Sequence, residues 1–124
     1  MLFIYPVNPT QPMDLLPTEI KDKLPELYAQ DGKGMEAIAY VKYFTPAGSW
    51  TWYGTEFDTA SETFFGYVKG LENELGYFTL KQLQEAVCRM GLPVERDLSF
   101  EPTPLSAIKW ALIQSPSASF QQKI

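Results

Sequence analysis

The chain has 124 residues, of which 45% are hydrophobic and 15% aromatic, and its formal net charge is −5. This composition predicts one globular domain with its own core, and the scattered basic residues disfavour direct binding to a nucleic-acid phosphate backbone. Histidine is absent and Cys88 is the single cysteine, which excludes His-dependent catalysis, an internal disulfide and a cysteine-based zinc site.

The N-terminal segment, residues 1–16, carries prolines at positions 6, 9 and 12. This spacing predicts an arm with no more regular structure than a short edge strand at Leu2 to Tyr5. The segment lacks the basic region of a secretory signal, and no run of about eighteen apolar residues is found in the chain. We therefore expect a cytoplasmic location without membrane contact.

A single α+β domain is predicted over residues 17–113, followed by a flexible tail at residues 114–124. Its first helix is expected to have Thr18 as its N-cap and to be broken at Pro25, because proline cannot continue an interior hydrogen-bond ladder. The sequence D-G-K-G at residues 31–34 predicts a turn.

The central part of the chain has the period of two that is typical of strands. Strands are predicted at residues 37–44, 50–57, 63–69, 75–78 and 93–100. In an unbroken second strand, Trp50, Trp52 and Glu56 share one face, and Gly54 leaves a gap in the row of side chains. Because short loops join the first three strands, they are expected to form an antiparallel meander.

Two further helices have recognisable starts. Thr79 and Gln82 have the spacing of a capping box, and Gly91 is expected to end that helix. Thr103 as N-cap and Pro104 at the first helical position predict the closing helix. The fold class is α+β: a mainly antiparallel sheet of four to five strands with a central meander, covered by about three helices.

Carboxylates lie at several positions from which a site could be built. Glu56 and Asp58 are two residues apart, and in a continuing strand they would share one face about 7 Å from each other. With Glu72 and Glu74 they could hold a divalent cation or divide acid and base roles, or all of them could be ordinary solvated residues. A small carboxylate-dependent enzyme or divalent-metal-binding protein is therefore an alternative function.

The aromatic row has two interpretations. Trp50 and Trp52 could form a wall that accepts a flat ligand or a partner's side chain, or they could be core under a helix. As a stacking platform they would also permit binding of single-stranded nucleic acid, which is a second alternative. If Arg96 faces inward, Glu72 or Glu74 could supply its partner; otherwise it belongs to a structural ion pair or a solvated edge.

With these residues described, the chain resembles the bacterial domain-of-unknown-function family numbered 2958. The similarity extends from Leu15 to Leu105. It rests on the runs L-P-E-L-Y-A-Q, W-T-W-Y-G-T-E-F-D, F-F-G-Y-V-K-G-L-E-N-E-L-G-Y-F-T-L and G-L-P-V-E-R-D-L-S-F-E-P-T-P-L. Members of this family are often encoded on plasmids and conjugative elements, so the resemblance implies an accessory role in the biology of mobile elements.

We therefore expect an interaction protein of a mobile element, with an anti-defence or regulatory role, that binds a protein partner and needs no cofactor. The lack of histidine makes an enzyme the weaker expectation. The residues expected to bind a partner or ligand are Trp50, Trp52, Tyr53, Glu56, Asp58, Glu72, Asn73, Glu74 and Arg96.

Overall fold

The fold is built on antiparallel strands in which apolar residues recur at every second position. In the computed structural model, which describes residues 13–86 and 91–108, the strands are β1 (Ile38–Ala39), β2 (Val41–Phe44), β3 (Thr51–Asp58), β4 (Thr63–Lys69), β5 (Asn73–Thr79), β6 (Glu95–Arg96) and β7 (Thr103–Pro104). The main sheet has the order β5-β4-β3-β2-β6, and β1 pairs with β7 in a separate two-stranded sheet. The antiparallel meander from β2 to β5 is confirmed.

The helical segments follow from the described residues. They are α1 (Thr18–Lys21), a 3₁₀ turn (Gly34–Glu36), α2 (Leu80–Glu85) and helical residues 105–108. With the sheets they confirm the α+β class. The capping box of α2 is also confirmed, since the Gln82 N–H donates to Thr79 Oγ1 and the Thr79 N–H donates to Gln82 Oε1. None of the described helices is long and apolar enough to cross a bilayer.

A bulge in β3 changes which residues share a face of the sheet. Gly54 pairs with Gly66, but the next pair is Glu56 with Phe65, so Thr55 is the extra residue. Paired residues lie on the same face, and the extra residue reverses the alternation. The prediction that Glu56 shares a face with Trp50 and Trp52 is therefore wrong, because it assumed an unbroken period of two.

The two faces of the sheet carry separate cores. Phe57, Phe64 and Phe78 pack with Leu83 of α2 on the first face. On the second face, Tyr53, Tyr67, Leu105 and Ile108 form the other core with Ala37, Ala39 and partly buried Phe100 and Met35. Helical residues thus cover both faces of the sheet.

Several predicted segments have different boundaries; the strand predicted at residues 37–44, for example, is divided into β1 and β2. The first helix is only one turn long, and Pro17 rather than Thr18 is its N-cap. Thr103 and Pro104 form β7, and the Thr103 hydroxyl donates to the Glu101 carbonyl oxygen at 2.7 Å instead of capping a helix. The strand predicted at residues 93–100 is reduced to β6 because Asp97 and Ser99 form a hydrogen-bonded turn after it.

The core begins before the predicted domain boundary at residue 17. Leu15 is buried in the first core, and its carbonyl oxygen accepts a 2.7 Å hydrogen bond from the buried Tyr43 hydroxyl. Several predicted features lie outside the described residues. They are the edge strand at Leu2 to Tyr5, Cys88, and the tail at 114–124. The prediction that Gly91 ends the second helix is wrong, because α2 already ends at Glu85 and Ala86 has an extended backbone.

We expect Gly66→Ala to lower the free energy of unfolding by about 2 kcal/mol. A Cβ at position 66 would collide with the carbonyl oxygen of Tyr53, a backbone atom that has no room to move beside the bulge. Gly76→Ala is the matched control in the neighbouring strand, because nothing lies within 4 Å of a Cβ there. Urea denaturation compares the two variants, and equal stabilities would contradict the close approach at Gly66.

Alkaline pH should destabilise the fold through Tyr43. Burial raises the pKa of Tyr43, so the unfolded chain ionises this phenol above pH about 10 while the folded chain keeps it protonated. The contribution of Tyr43 to stability is complete below that pH and falls as the pH rises further. At neutral pH, Tyr43→Phe should lower the free energy of unfolding by about 1 kcal/mol, because the hydrogen bond to Leu15 is missing.

The free energy of unfolding of the same variant, measured by urea denaturation, should also fall less steeply above pH 10. Part of this fall should remain, because burial raises the pKa of Tyr53 as well. If the free energy of unfolding of Tyr43→Phe fell as steeply above pH 10 as that of the unaltered chain, Tyr43 would not be the main alkaline-sensitive group.

Candidate functional site

Two stacked indoles form the wall of an open cleft on the first face. The ring centroids of Trp50 and Trp52 are 5.8 Å apart with an angle of 24° between the planes. Trp50 remains 39% exposed although its ring packs directly over Gly70 and its backbone is held by Thr45. The indoles are thus neither fully buried nor loose on the surface.

This Trp cleft has a volume of about 470 Å³ and extends from the indoles to the start of α2. It is lined by Trp50, Trp52, Val68, Glu74, Gly76, Tyr77, Phe78, Gln82 and Leu83. The open space lies at Gly76, because a Cβ at Gly54 would meet Val41 and Phe64. The gap expected at Gly54 is therefore filled by neighbouring side chains.

Two polar side chains, those of Glu74 and Gln82, belong to the otherwise largely apolar lining of the Trp cleft. Val68 pairs with both Trp52 and Glu74, which places the exposed Glu74 carboxylate in the same row as the Trp52 ring. Gln82 uses its Oε1 for the capping box, so its amide NH₂ is available at the cleft. Such a site suits a group with an apolar or flat body and a positive end.

Strand β5 lies beside the Trp cleft and forms one edge of the main sheet. Among the described residues, no strand pairs with its outer side. Leu75 and Tyr77 are 40% and 57% exposed, and the seven residues of β5 contain no proline. A long edge of this kind can accept an additional strand through its free backbone N–H and C=O groups.

Glu56 lies on the opposite face and is 4% exposed. Its Oε1 accepts the Tyr28 N–H at 2.8 Å and its Oε2 accepts the Gln30 N–H at 2.7 Å. The Gln30 side chain in turn donates to the carbonyl oxygens of Thr55 and Ile38 and accepts the Ile38 N–H. Glu56 therefore joins the segment around Tyr28 to the bulge.

Tyr53 and Asp58 are also separated from the Trp cleft. Tyr53 is buried in the second core, where it stacks on Tyr67 with a centroid distance of 6.1 Å. Asp58 accepts hydrogen bonds from the hydroxyl and the N–H of Ser61, and these bonds lower the pKa of the Asp58 carboxyl. Asp58 therefore orders the turn between β3 and β4.

The remaining candidate residues are distributed over both edges of the sheet. Glu72 is exposed in the turn before β5, and Asn73 and Glu74 begin that strand instead of preceding it. Arg96 is in β6 at the opposite edge, where its Nε donates to the Asp14 carbonyl oxygen at 3.4 Å. Glu72 and Glu74 are therefore not its partners.

The acidic candidates do not converge. Within residues 13–86 and 91–108, no group of three or more potential metal-ligating side chains is close enough to hold an ion. The salt bridges in these ranges are Lys42 with Asp97 at 3.4 Å and Lys81 with Glu85 at 4.0 Å. Neither includes a candidate residue.

Residues Tyr28, Gln30 and Tyr77 were not among the predicted site residues. Tyr28 has a positive φ of 73°, which is unusual for a residue with a large side chain. The predicted helix interruption at Pro25 was the only signal that this segment leaves helical geometry. Its contact with Glu56 spans 28 positions in the sequence and has no local signature.

The fold and the two faces define an α+β protein in which β5, at one edge of the antiparallel meander, pairs with no further strand of the described residues. The chain belongs to the family described as "Protein of unknown function (DUF2958)", whose model matches residues 15–115. This confirms the resemblance. Comparisons with curated proteins and with solved structures each found no match.

We expect Glu56→Gln to lower the free energy of unfolding by about 2 kcal/mol, because a glutamine amide NH₂ must face one of the two buried N–H donors. Hydrogen exchange should accelerate at residues 28–38 in particular. Glu74→Gln makes the same chemical change at an exposed position and should be neutral. Equal exchange in the two variants, measured by mass spectrometry, would show that Glu56 does not anchor this segment.

Proposed function

We propose that the chain is a cytoplasmic interaction protein that binds an extended, basic segment of a partner protein along β5. The Trp cleft would take one side chain of this segment. The role in the cell would be an accessory one in mobile-element biology, anti-defence or regulatory, and this part of the proposal draws on the family resemblance alone.

The observation that carries the proposal is the position of the stacked indoles beside a free strand edge. In strand addition, backbone hydrogen bonds supply affinity and pockets for alternate side chains supply specificity. Glu74 and Gly76 line the Trp cleft, whereas Leu75 belongs to the other face. A strand added to β5 would direct every second side chain toward the Trp cleft.

Charge supports a basic partner. The net charge of the chain is −5, and Glu74 is exposed at the rim of the Trp cleft. An acidic surface raises the association rate of a basic segment, and an indole face attracts a lysine or arginine side chain. An extended segment that carries Lys or Arg beside apolar residues fits both properties.

Selection of peptides from a displayed random library on the purified chain tests this proposal directly. Selected peptides should be basic, and Trp50→Ala should weaken their binding about thirtyfold, the effect of a typical interface hot spot. Glu74→Lys should weaken it as well. Leu98→Ala is the control, because Leu98 is 72% exposed but follows β6 at the far edge.

Backbone methylation of a selected peptide tests the strand pairing itself. Only every second N–H of an added strand points toward β5, so N-methylation of one alternate set should abolish binding and the other set should be tolerated. Equal effects of the two sets, or unchanged binding to Trp50→Ala, would contradict the proposal. Capture from lysate of a host carrying such an element, with Trp50→Ala as comparison, then identifies the natural partner.

A further inference from the structure

A second cleft lies on the face of the sheet opposite the Trp cleft. This Glu56 cleft has a volume of about 350 Å³. The residues that define it here are Tyr28, Asp31, Glu56, Phe65 and Tyr77. It shares Tyr77 of β5 with the Trp cleft, but its other defining residues come from the segment around Tyr28 and from the second face.

The floor of the Glu56 cleft contains a buried carboxylate that forms no salt bridge with a Lys or Arg of the described ranges. Both oxygens of Glu56 accept backbone N–H groups, which is the hydrogen-bonding pattern of an ionised carboxylate, and each oxygen has a further lone pair to offer. None of the described Lys or Arg side chains forms a salt bridge with it. A buried charge without a counter-ion is costly, and a bound cation would compensate it.

Aromatic rings stand at the mouth of the cleft. Tyr28 and Tyr77 are 67% and 57% exposed, and Phe65 meets the Tyr77 ring edge-on with centroids 4.9 Å apart. The faces of such rings carry the negative part of the aromatic quadrupole and attract cations. Exposed rings at a concave, acidic position are a recurring arrangement for recognising organic ammonium and guanidinium groups.

The backbone that carries one of these rings is held in a strained conformation. The φ of 73° puts Tyr28 in the left-handed region, and its N–H is held there by Glu56. Strain of this kind persists only where the surroundings impose it, and it is concentrated at functional positions. Hydrogen bonding to the Tyr28 side chain raises the pKa of Tyr77, and the charges of Glu56 and Asp31 add to this effect.

We propose that the Glu56 cleft binds an organic cation of the guanidinium type. The planar cation would stack on the tyrosine rings and donate to the free lone pairs of Glu56, with Asp31 adding negative charge at the rim. Guanidinium combines the two requirements, because it can stack and donate hydrogen bonds at the same time. The cleft is large enough for the end of an arginine side chain.

The test uses the full-length chain and two neutral-backbone probes, Nα-acetyl-arginine amide and its uncharged counterpart Nα-acetyl-citrulline amide. Two-dimensional amide NMR at constant ionic strength should show saturable shifts of the Gln30, Thr55 and Glu56 signals with the arginine probe. The citrulline probe should bind at least about tenfold more weakly, because it lacks the charge.

Tyr28→Gly removes one ring and at the same time relieves the left-handed strain, so the variant should remain folded. Its affinity for the arginine probe should fall about fivefold or more. If the glycine variant does not fold, Tyr77→Leu replaces it, and Trp50→Ala is then the required comparison because Tyr77 also lines the Trp cleft. Leu98→Ala, on an exposed apolar residue outside the cleft, should bind as the unaltered chain does.

Equal binding of the two probes, or unchanged affinity in the folded Tyr28 or Tyr77 variant, would overturn the proposal. Binding that is lost in Trp50→Ala but kept in Tyr28→Gly would also overturn it by placing the cation in the Trp cleft. The outcome is independent of the peptide selection, since either cleft can fail its test while the other passes.

Discussion

The hydrogen-bond network of Gln30 and Glu56 at the β3 bulge is the constraint on which both faces of the sheet depend. The extra residue, Thr55, leaves a carbonyl oxygen that no regular ladder would satisfy, and Gln30 binds it at 2.8 Å. The same amide group holds both backbone polar groups of Ile38, the first residue of β1. This one amide therefore couples the bulge to the segment before β1 and to β1 itself, so that these parts form a cooperative unit.

The bulge also separates the two clefts. Without the extra residue, Glu56 would share the face of Trp52, and aromatic and acidic groups would form one mixed surface. With it, the indoles lie on the first face and the buried carboxylate on the second. The glycines paired across three strands, Gly54, Gly66 and Gly76, complete this division: the first two lie against neighbouring atoms, and the third leaves space for the Trp cleft.

The sequence predicts those parts of the fold that have local signatures. Alternation over residues 63–69 and the Thr79 to Gln82 spacing are decided by residues a few positions apart, and the structure agrees with both. The bulge at Thr55 has no such signature, because a threonine in a run of aromatic residues is compatible with an ordinary strand. The pairing of Thr103 with Ala39 overrides a favourable helix-start pattern through contacts made far along the chain.

Strand register also decides how the predicted site residues are distributed over the fold. Trp50, Trp52 and Glu74 could be named from their residue types, and the structure does bring them to one cleft. Tyr53 and Arg96 could not be excluded in advance, since whether an aromatic ring or a guanidinium faces the core is decided by strand register. Glu56 was named, but its partners near Tyr28 depend on a long-range contact that no spacing rule reveals.

The two edges of the main sheet are unequal: β5 has seven residues, whereas β6 at the other edge has two. Stacking of copies into a fibre requires an open strand of comparable length at each end of the sheet, so that every added copy offers a new template. Here β6, with two residues, is too short to pair along the length of the seven-residue β5 of a further copy. Within the part of the chain that the structure describes, the short edge at β6 therefore disfavours the polymerisation that two long open edges would permit.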